Sequence, residues 1–120
     1  MLKKRLKSFK FAFKGIAELF RSEPNARIHL LATIVVFIAG FYFQVSTPEW
    51  CLLTLCIALV LSAEAVNTAI EKLTDLVSPD FHPLAGKAKD VAAAAVLLVA
   101  MGTIIVGALI FIPKIQTAFF

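Results

Sequence analysis

Apolar residues at Leu2, Leu6, Phe9, Phe13, Ile16 and Phe20 recur at intervals of three and four, with the lysines mainly on the opposite side. That pattern predicts an amphipathic helix over 1–21 lying in the plane of a membrane interface. The segment Arg21-Ser22-Glu23-Pro24-Asn25 interrupts it, and Pro24 suits the first turn of a new helix. Residues 28–45 then form an uncharged run of about 18 residues, which is the length that spans a bilayer.

Ser46-Thr47-Pro48-Glu49 predicts a tight polar turn, flanked by Tyr42 and Trp50, whose rings suit a membrane interface. A second span follows over 50–77. It is almost wholly apolar to Ala63, then continues without a breaker through SAEAVNTAIEKLTDLV to Ser78-Pro79, so that one half of a single helix is greasy and the other charged. The segment from Asp80 to Asp90 leads into a third span over 91–112, which Pro113 is expected to close. Ala92 to Ala95, Gly102 and Gly107 allow close helix approach in that span. With no repeat, low-complexity tract or linker, residues 1–120 read as one membrane-embedded domain of the all-α class.

Composition agrees: 60% of residues are hydrophobic and the mean hydropathy is +0.89, far above what a soluble domain of this size needs for its core. The net charge of +4 matters through its placement, because six of the twelve bases are Lys3, Lys4, Arg5, Lys7, Lys10 and Lys14. This arm suits an anionic membrane surface, and no nucleic-acid partner is expected. Placing the N-terminus in the cytoplasm leaves Lys114 as the one base outside, in keeping with the positive-inside rule. The amphipathic character of residues 2–20 speaks against a cleaved leader. Cys51 and Cys56, five apart in an apolar run, are expected to be buried, inert thiols.

The chemistry concentrates on the second span. At 100° per residue, Glu64, Asn67, Thr68, Glu71 and Asp75 share a sector roughly 100° wide, and Glu64 lies about 16 Å from Asp75 toward the membrane centre. A carboxylate at that depth costs a few kcal/mol unless something pairs with it. Stacked acids repel without a cation, and magnesium, which accepts a few carboxylate oxygens plus phosphates, is the natural counter-charge. Lys87, Lys89 and Asp90 stand at the start of the third span, where lysines and helix amides can receive phosphates. His82 is expected to hydrogen-bond within its loop or to contact a nucleotide, and a zinc pair with His29 is not expected. The chain has no Walker A or other Gly-rich nucleotide loop, so nucleotide binding needs another arrangement.

The strings FKG at 13–15, EPNARIHL at 23–30, EAVNTAIEKLTD at 64–75 and FHPLAGKAKDVAAAAVL at 81–97 together resemble the small prokaryotic diacylglycerol kinase family, which includes undecaprenol kinases. The resemblance implies an ATP- and Mg2+-dependent kinase of a bacterial inner membrane that phosphorylates a membrane lipid alcohol, undecaprenol or diacylglycerol. It implies Glu64 as catalytic base and Glu23 with Glu71 as magnesium ligands. Asn67, Asp75, Lys89 and Asp90 would form the nucleotide and phosphate site, with Lys14, Gly15, His82 and Gly86 in support. It further implies a domain-swapped homotrimer with shared sites facing the cytoplasm. The RIHL string is more similar to the undecaprenol kinase branch, since the diacylglycerol branch has an acid at the place of His29. The competing reading is a non-catalytic three-span pore or membrane-tethered adaptor. Pore-lining residues would extend through the full depth of a span, whereas these acids occupy one half of one helix, and an adaptor gives no reason for Glu64.

Overall fold

The computed structural model describes all 120 residues and is entirely helical: α1 Leu2–Ser22, α2 Pro24–Tyr42, α3 Thr47–Val77 and α4 Pro83–Phe119. A single extended residue, Glu23 (φ −114°, ψ 111°), separates α1 from α2. Pro24 causes this break, because its ring excludes helical backbone at the residue before it. Arg27 ties the corner by donating from its guanidinium to the carbonyl of Arg21 at 3.2 Å. Leu19 and Ala26 are buried there, while α1 is otherwise exposed apart from the half-buried Phe20.

Helix α2 stops at Tyr42 because the chain turns left-handed at Gln44 (φ 50°). The N–H of Gln44 donates to the carbonyl of Phe41 at 3.3 Å and that of Val45 to Gly40 at 3.1 Å, the two bonds of a Schellman motif. Two residues later Ser46 and Glu49 form a reciprocal capping box that starts α3 at Thr47, with Pro48 in its first turn. The turn predicted over 46–49 is therefore mostly the first turn of a helix. Residues 43–45, assigned from sequence to the end of the first span, make the connection.

Below this turn Val45, Leu53 and Ile110 form a small buried cluster, against which Val36, Trp50, Val106 and Phe111 pack. The Trp50 ring lies over Gly40, between Phe37 and Phe41 at centroid distances of 5.5 and 5.0 Å. A Cβ at Gly40 would fall 2.4 Å from the ring edge, so the close α2–α3 approach depends on a residue without a side chain.

Helices α3 and α4 form the most extensive pair. They are antiparallel, being joined by the short segment 78–82 and held near both ends by ion pairs, Asp75 with Lys89 and Glu49 with Lys114 (3.1 Å). His82 caps α4, its Nδ1 accepting from the N–H of Leu84 at 3.1 Å, and Pro83 occupies the first turn. The expectation that Pro113 closes this helix is corrected: α4 continues through it to Phe119. A proline removes one intrahelical hydrogen bond, and here the next residue, Lys114, is anchored to α3 while Thr117 donates back to the carbonyl of Pro113 at 2.9 Å.

Helices α2, α3 and α4 are long and apolar enough to cross a membrane. Only 11 of 120 residues are buried, and Ile34, Phe41, Leu55, Leu98, Ile104 and Leu109 all stand exposed on these helices. An apolar surface of this extent identifies lipid as its surroundings, so the chain is a multi-pass membrane protein. Cys51, expected to be buried, is exposed on this surface, Cys56 is partly buried, and both are free.

The turn generates two stability changes of opposite sign. Gln44→Gly relieves left-handed strain and should stabilise the protein by about 1 kcal/mol. Gly40→Ala should destabilise it by about 1–3 kcal/mol through overpacking against Trp50. Denaturation curves of the two variants in micelles should move in opposite directions from wild type, and movement in the same direction would contradict this account of the turn.

Candidate active site

The only polar or charged side chains among the buried residues are consecutive members of one α3 face: Glu64, 2% exposed, with Asn67 and Thr68. An apolar spanning helix brings Glu64 out of water, and its carboxylate then needs a partner. That partner comes from α2, where His29 Nε2 lies 3.2 Å from Glu64 Oε1. The short break at Glu23 and Pro24 starts α2 early enough to place His29 on its second turn.

Further along α3, Asn67 Nδ2 donates to Glu71 Oε1 at 3.3 Å, the i,i+4 neighbour on the same face. The other amide atom, Asn67 Oδ1, is buried without a partner, as is Thr68 Oγ1. Unpartnered buried polar atoms are costly and mark places where a further group completes the structure. Nearer the end of α3, Asp75 accepts from Lys89 of α4. These two residues, with Ser78, Asp80, His82 and Gly86, line a polar cavity of about 170 Å³. Gly86 leaves open space where a Cβ would stand. A neighbouring cavity of about 530 Å³ shares Ser78, His82 and Ala85 and is otherwise walled largely by Leu73, Val77 and Leu84.

On the other side of α3, a largely apolar cleft of about 340 Å³ separates it from α1, and Gly15, Leu19, Ala65 and Thr68 are among its lining residues. Glu18 and Lys72 also line it and are ion-paired at 3.1 Å, binding the two helices together.

The face predicted from helical periodicity is thus present as a continuous run, with Glu64, Asn67, Glu71 and Asp75 in order along α3. Asp75, His82, Gly86 and Lys89 meet at one cavity. Other candidates stand apart within the single chain. Lys14 is exposed, its ammonium 5.7 Å from the Phe11 ring centroid, and Asp90 is exposed without an ion-pair partner. Glu23 is partly buried at the α1–α2 corner, and no group of three or more His, Cys, Asp or Glu side chains converges to hold a metal ion. Periodicity did not reveal that His29 is the partner of Glu64. Its signal was a lone imidazole near the start of an otherwise apolar span, opposite a helix carrying a lone deep acid.

Comparison with known proteins decides the class: residues 10–111 match the prokaryotic diacylglycerol kinase family. The chain belongs to that family. It is 44% identical over 114 residues to an undecaprenol kinase of Bacillus subtilis, a match covering 95% of this chain and 93% of that protein. A diacylglycerol kinase of Synechocystis is 37% identical over 92% of this chain and 63% of its own length. A diacylglycerol kinase of Pseudomonas aeruginosa is 34% identical over 88% and 91%. The family assigns the chain as a lipid kinase.

Proposed function

We propose that this kinase transfers the γ-phosphoryl group of ATP to the hydroxyl of a membrane polyprenol of the undecaprenol class. The observation that carries the reading is Glu64: a carboxylate buried in a spanning helix, with the polar run of Asn67, Glu71 and Asp75 leading from it to the cavity that holds Lys89. Similarity to an undecaprenol kinase along nearly the whole chain supports the polyprenol over diacylglycerol.

In this reading Glu64 accepts the hydroxyl proton as the alcohol oxygen bonds to the γ-phosphorus and the bond to the β-phosphate oxygen breaks, releasing ADP. Lys89 offsets charge on the transferring group, and Asn67, Asp75, His82, Gly86, Asp90 and Lys14 position nucleotide and phosphates. Positioning and electrostatics carry most of the barrier reduction in such transfers.

The donor chemistry fits magnesium. Glu23 and Glu71 offer hard carboxylate oxygens, and beside Glu71 the buried Asn67 Oδ1 is an acceptor without a donor. When bound, Mg2+ would supply positive charge to the phosphate oxygens. Since Glu23 sits on the α1–α2 corner and the ligand set is incomplete within one chain, we assign Glu23 and Glu71 of each site to different subunits of a homotrimer. Neighbouring copies would also cover the polar α3 face, which three spans of one chain cover only in part. The N-terminus, the lower half of α3 and segment 80–90 face the cytoplasm, with α1 on the inner membrane surface, its bases toward anionic lipid.

Radiolabelled phosphate transfer in mixed micelles should be faster to undecaprenol than to diacylglycerol, and equal or reversed preference would sink the substrate assignment. Under the same conditions Glu64→Gln should lose at least about 10²-fold in turnover while retaining nucleotide binding. A variant that keeps more than about a tenth of wild-type turnover would remove Glu64 from the base role.

Glu23→Gln and Glu71→Gln should each raise the magnesium concentration needed for half-maximal rate. Mixed before assembly in equal amounts, the two variants should regenerate about a quarter of the complete sites if each site draws one ligand from each of two neighbours in a ring. Unchanged magnesium curves would dismiss these ligands. A fully active monomer by mass would dismiss the shared site.

A further inference from the structure

Within the chain, Glu64 has one side-chain partner, and that partner is neither a second acid nor a lysine but the imidazole of His29. Glu64 is 3% exposed at its side chain and His29 26%, so one face of the pair is sealed and the other reaches the surroundings through the histidine. The contact joins α2 to α3 at a point where neither helix has another polar tie. Thr33, the next hydroxyl on α2, is committed to the backbone carbonyl of His29, and Asn67, the next amide on α3, is committed to Glu71.

An imidazole in contact with one carboxylate oxygen leaves the second free. The contact of His29 Nε2 is with Glu64 Oε1, at 3.2 Å, and no side chain is paired with Oε2. A free carboxylate in an apolar helix face could rotate toward whatever polar atom it finds. One held against the imidazole presents its open oxygen in a fixed direction.

We propose that His29 is a positioning residue for phosphoryl transfer: its imidazole, with Nε2 3.2 Å from Oε1, holds the Glu64 carboxylate in place, so that Oε2 is the atom that receives the substrate hydroxyl proton. This rests on the reading of Glu64 as the base. It assigns His29 a role in turnover and not in lipid or nucleotide affinity, because the contact orients the proton acceptor and touches neither ligand. It also specifies the chemistry required at position 29: a side chain with an N–H donor at the reach of imidazole Nε2.

The test is steady-state kinetics in mixed micelles with undecaprenol and ATP varied separately. His29→Ala should lower kcat by about 10- to 100-fold, within the range that a misplaced general base costs, with both KM values within about threefold of wild type. His29→Gln, whose amide N–H2 reaches about as far as Nε2, should return kcat to within about fivefold of wild type. His29→Asn keeps an amide but falls short of Glu64 and should behave as alanine does, which provides a second variant if alanine fails to assemble. In the Glu64→Gln background, His29→Ala should cause no further loss, since the base it positions is gone.

Wild-type kcat in His29→Ala, or a well-folded His29→Gln no better than His29→Ala, would overturn the proposal, as would a loss confined to KM. The two levels separate cleanly. If Glu64→Gln is inactive but His29→Ala turns over normally, the positioning role alone falls. If Glu64→Gln itself retains turnover, the base assignment falls and the role of His29 falls with it.

Discussion

The arrangement of this molecule follows from the difficulty of keeping one carboxylate away from water inside a membrane. Glu64 sits where the surrounding helix is apolar, and an unpaired charge there would cost several kcal/mol. One contact with His29 relieves part of that cost, and it requires α2 to run beside α3 with a particular rotation and height. The Schellman motif, the capping box and the Trp50 ring over Gly40 fix that height from the opposite end of the hairpin. A carboxylate can be kept away from water only when the rest of the scaffold leaves it few alternatives.

The charged contacts divide by depth. Glu49 with Lys114 and Asp75 with Lys89 lie toward the two ends of the α3–α4 pair, where water and headgroups screen them, and they serve mainly to set the register of two long helices. Glu18 with Lys72 does the same for α1 against α3. Between these ends the helices meet through small and apolar residues. The polar exceptions are Glu64, Asn67 and Thr68, the buried polar side chains of the α3 face.

Much of this could be read directly along the chain. The three spans followed from uninterrupted apolar runs, and the shared face of Glu64, Asn67, Glu71 and Asp75 followed from helical geometry, because both depend on local spacing. The residues misjudged were those whose state a run of hydrophobicity does not encode. Pro113 reads as a stop, yet the helix continues because Lys114 reaches across to Glu49. Ser46 to Glu49 reads as a turn, yet hydrogen bonds within those four residues make it a helix start. Cys51 reads as buried because apolar surroundings in sequence do not distinguish a protein interior from a lipid-facing surface. The His29–Glu64 contact, 35 positions apart, depended on the relative rotation of two helices, which no one-dimensional period encodes.

The unequal lengths of the helices carry one further consequence. Helix α2, at 19 residues, is about 28 Å long, close to the hydrocarbon thickness of a bilayer, whereas α3 at 31 residues is about 46 Å and must project beyond it. The shortest helix therefore sets how the molecule floats, and His29, five residues from its start, travels with it. A thicker membrane draws the imidazole and its carboxylate below the headgroup plane, while a thinner one lifts them toward water. Acyl-chain length thus acts on the enzyme as a mechanical variable, independent of which alcohol it phosphorylates.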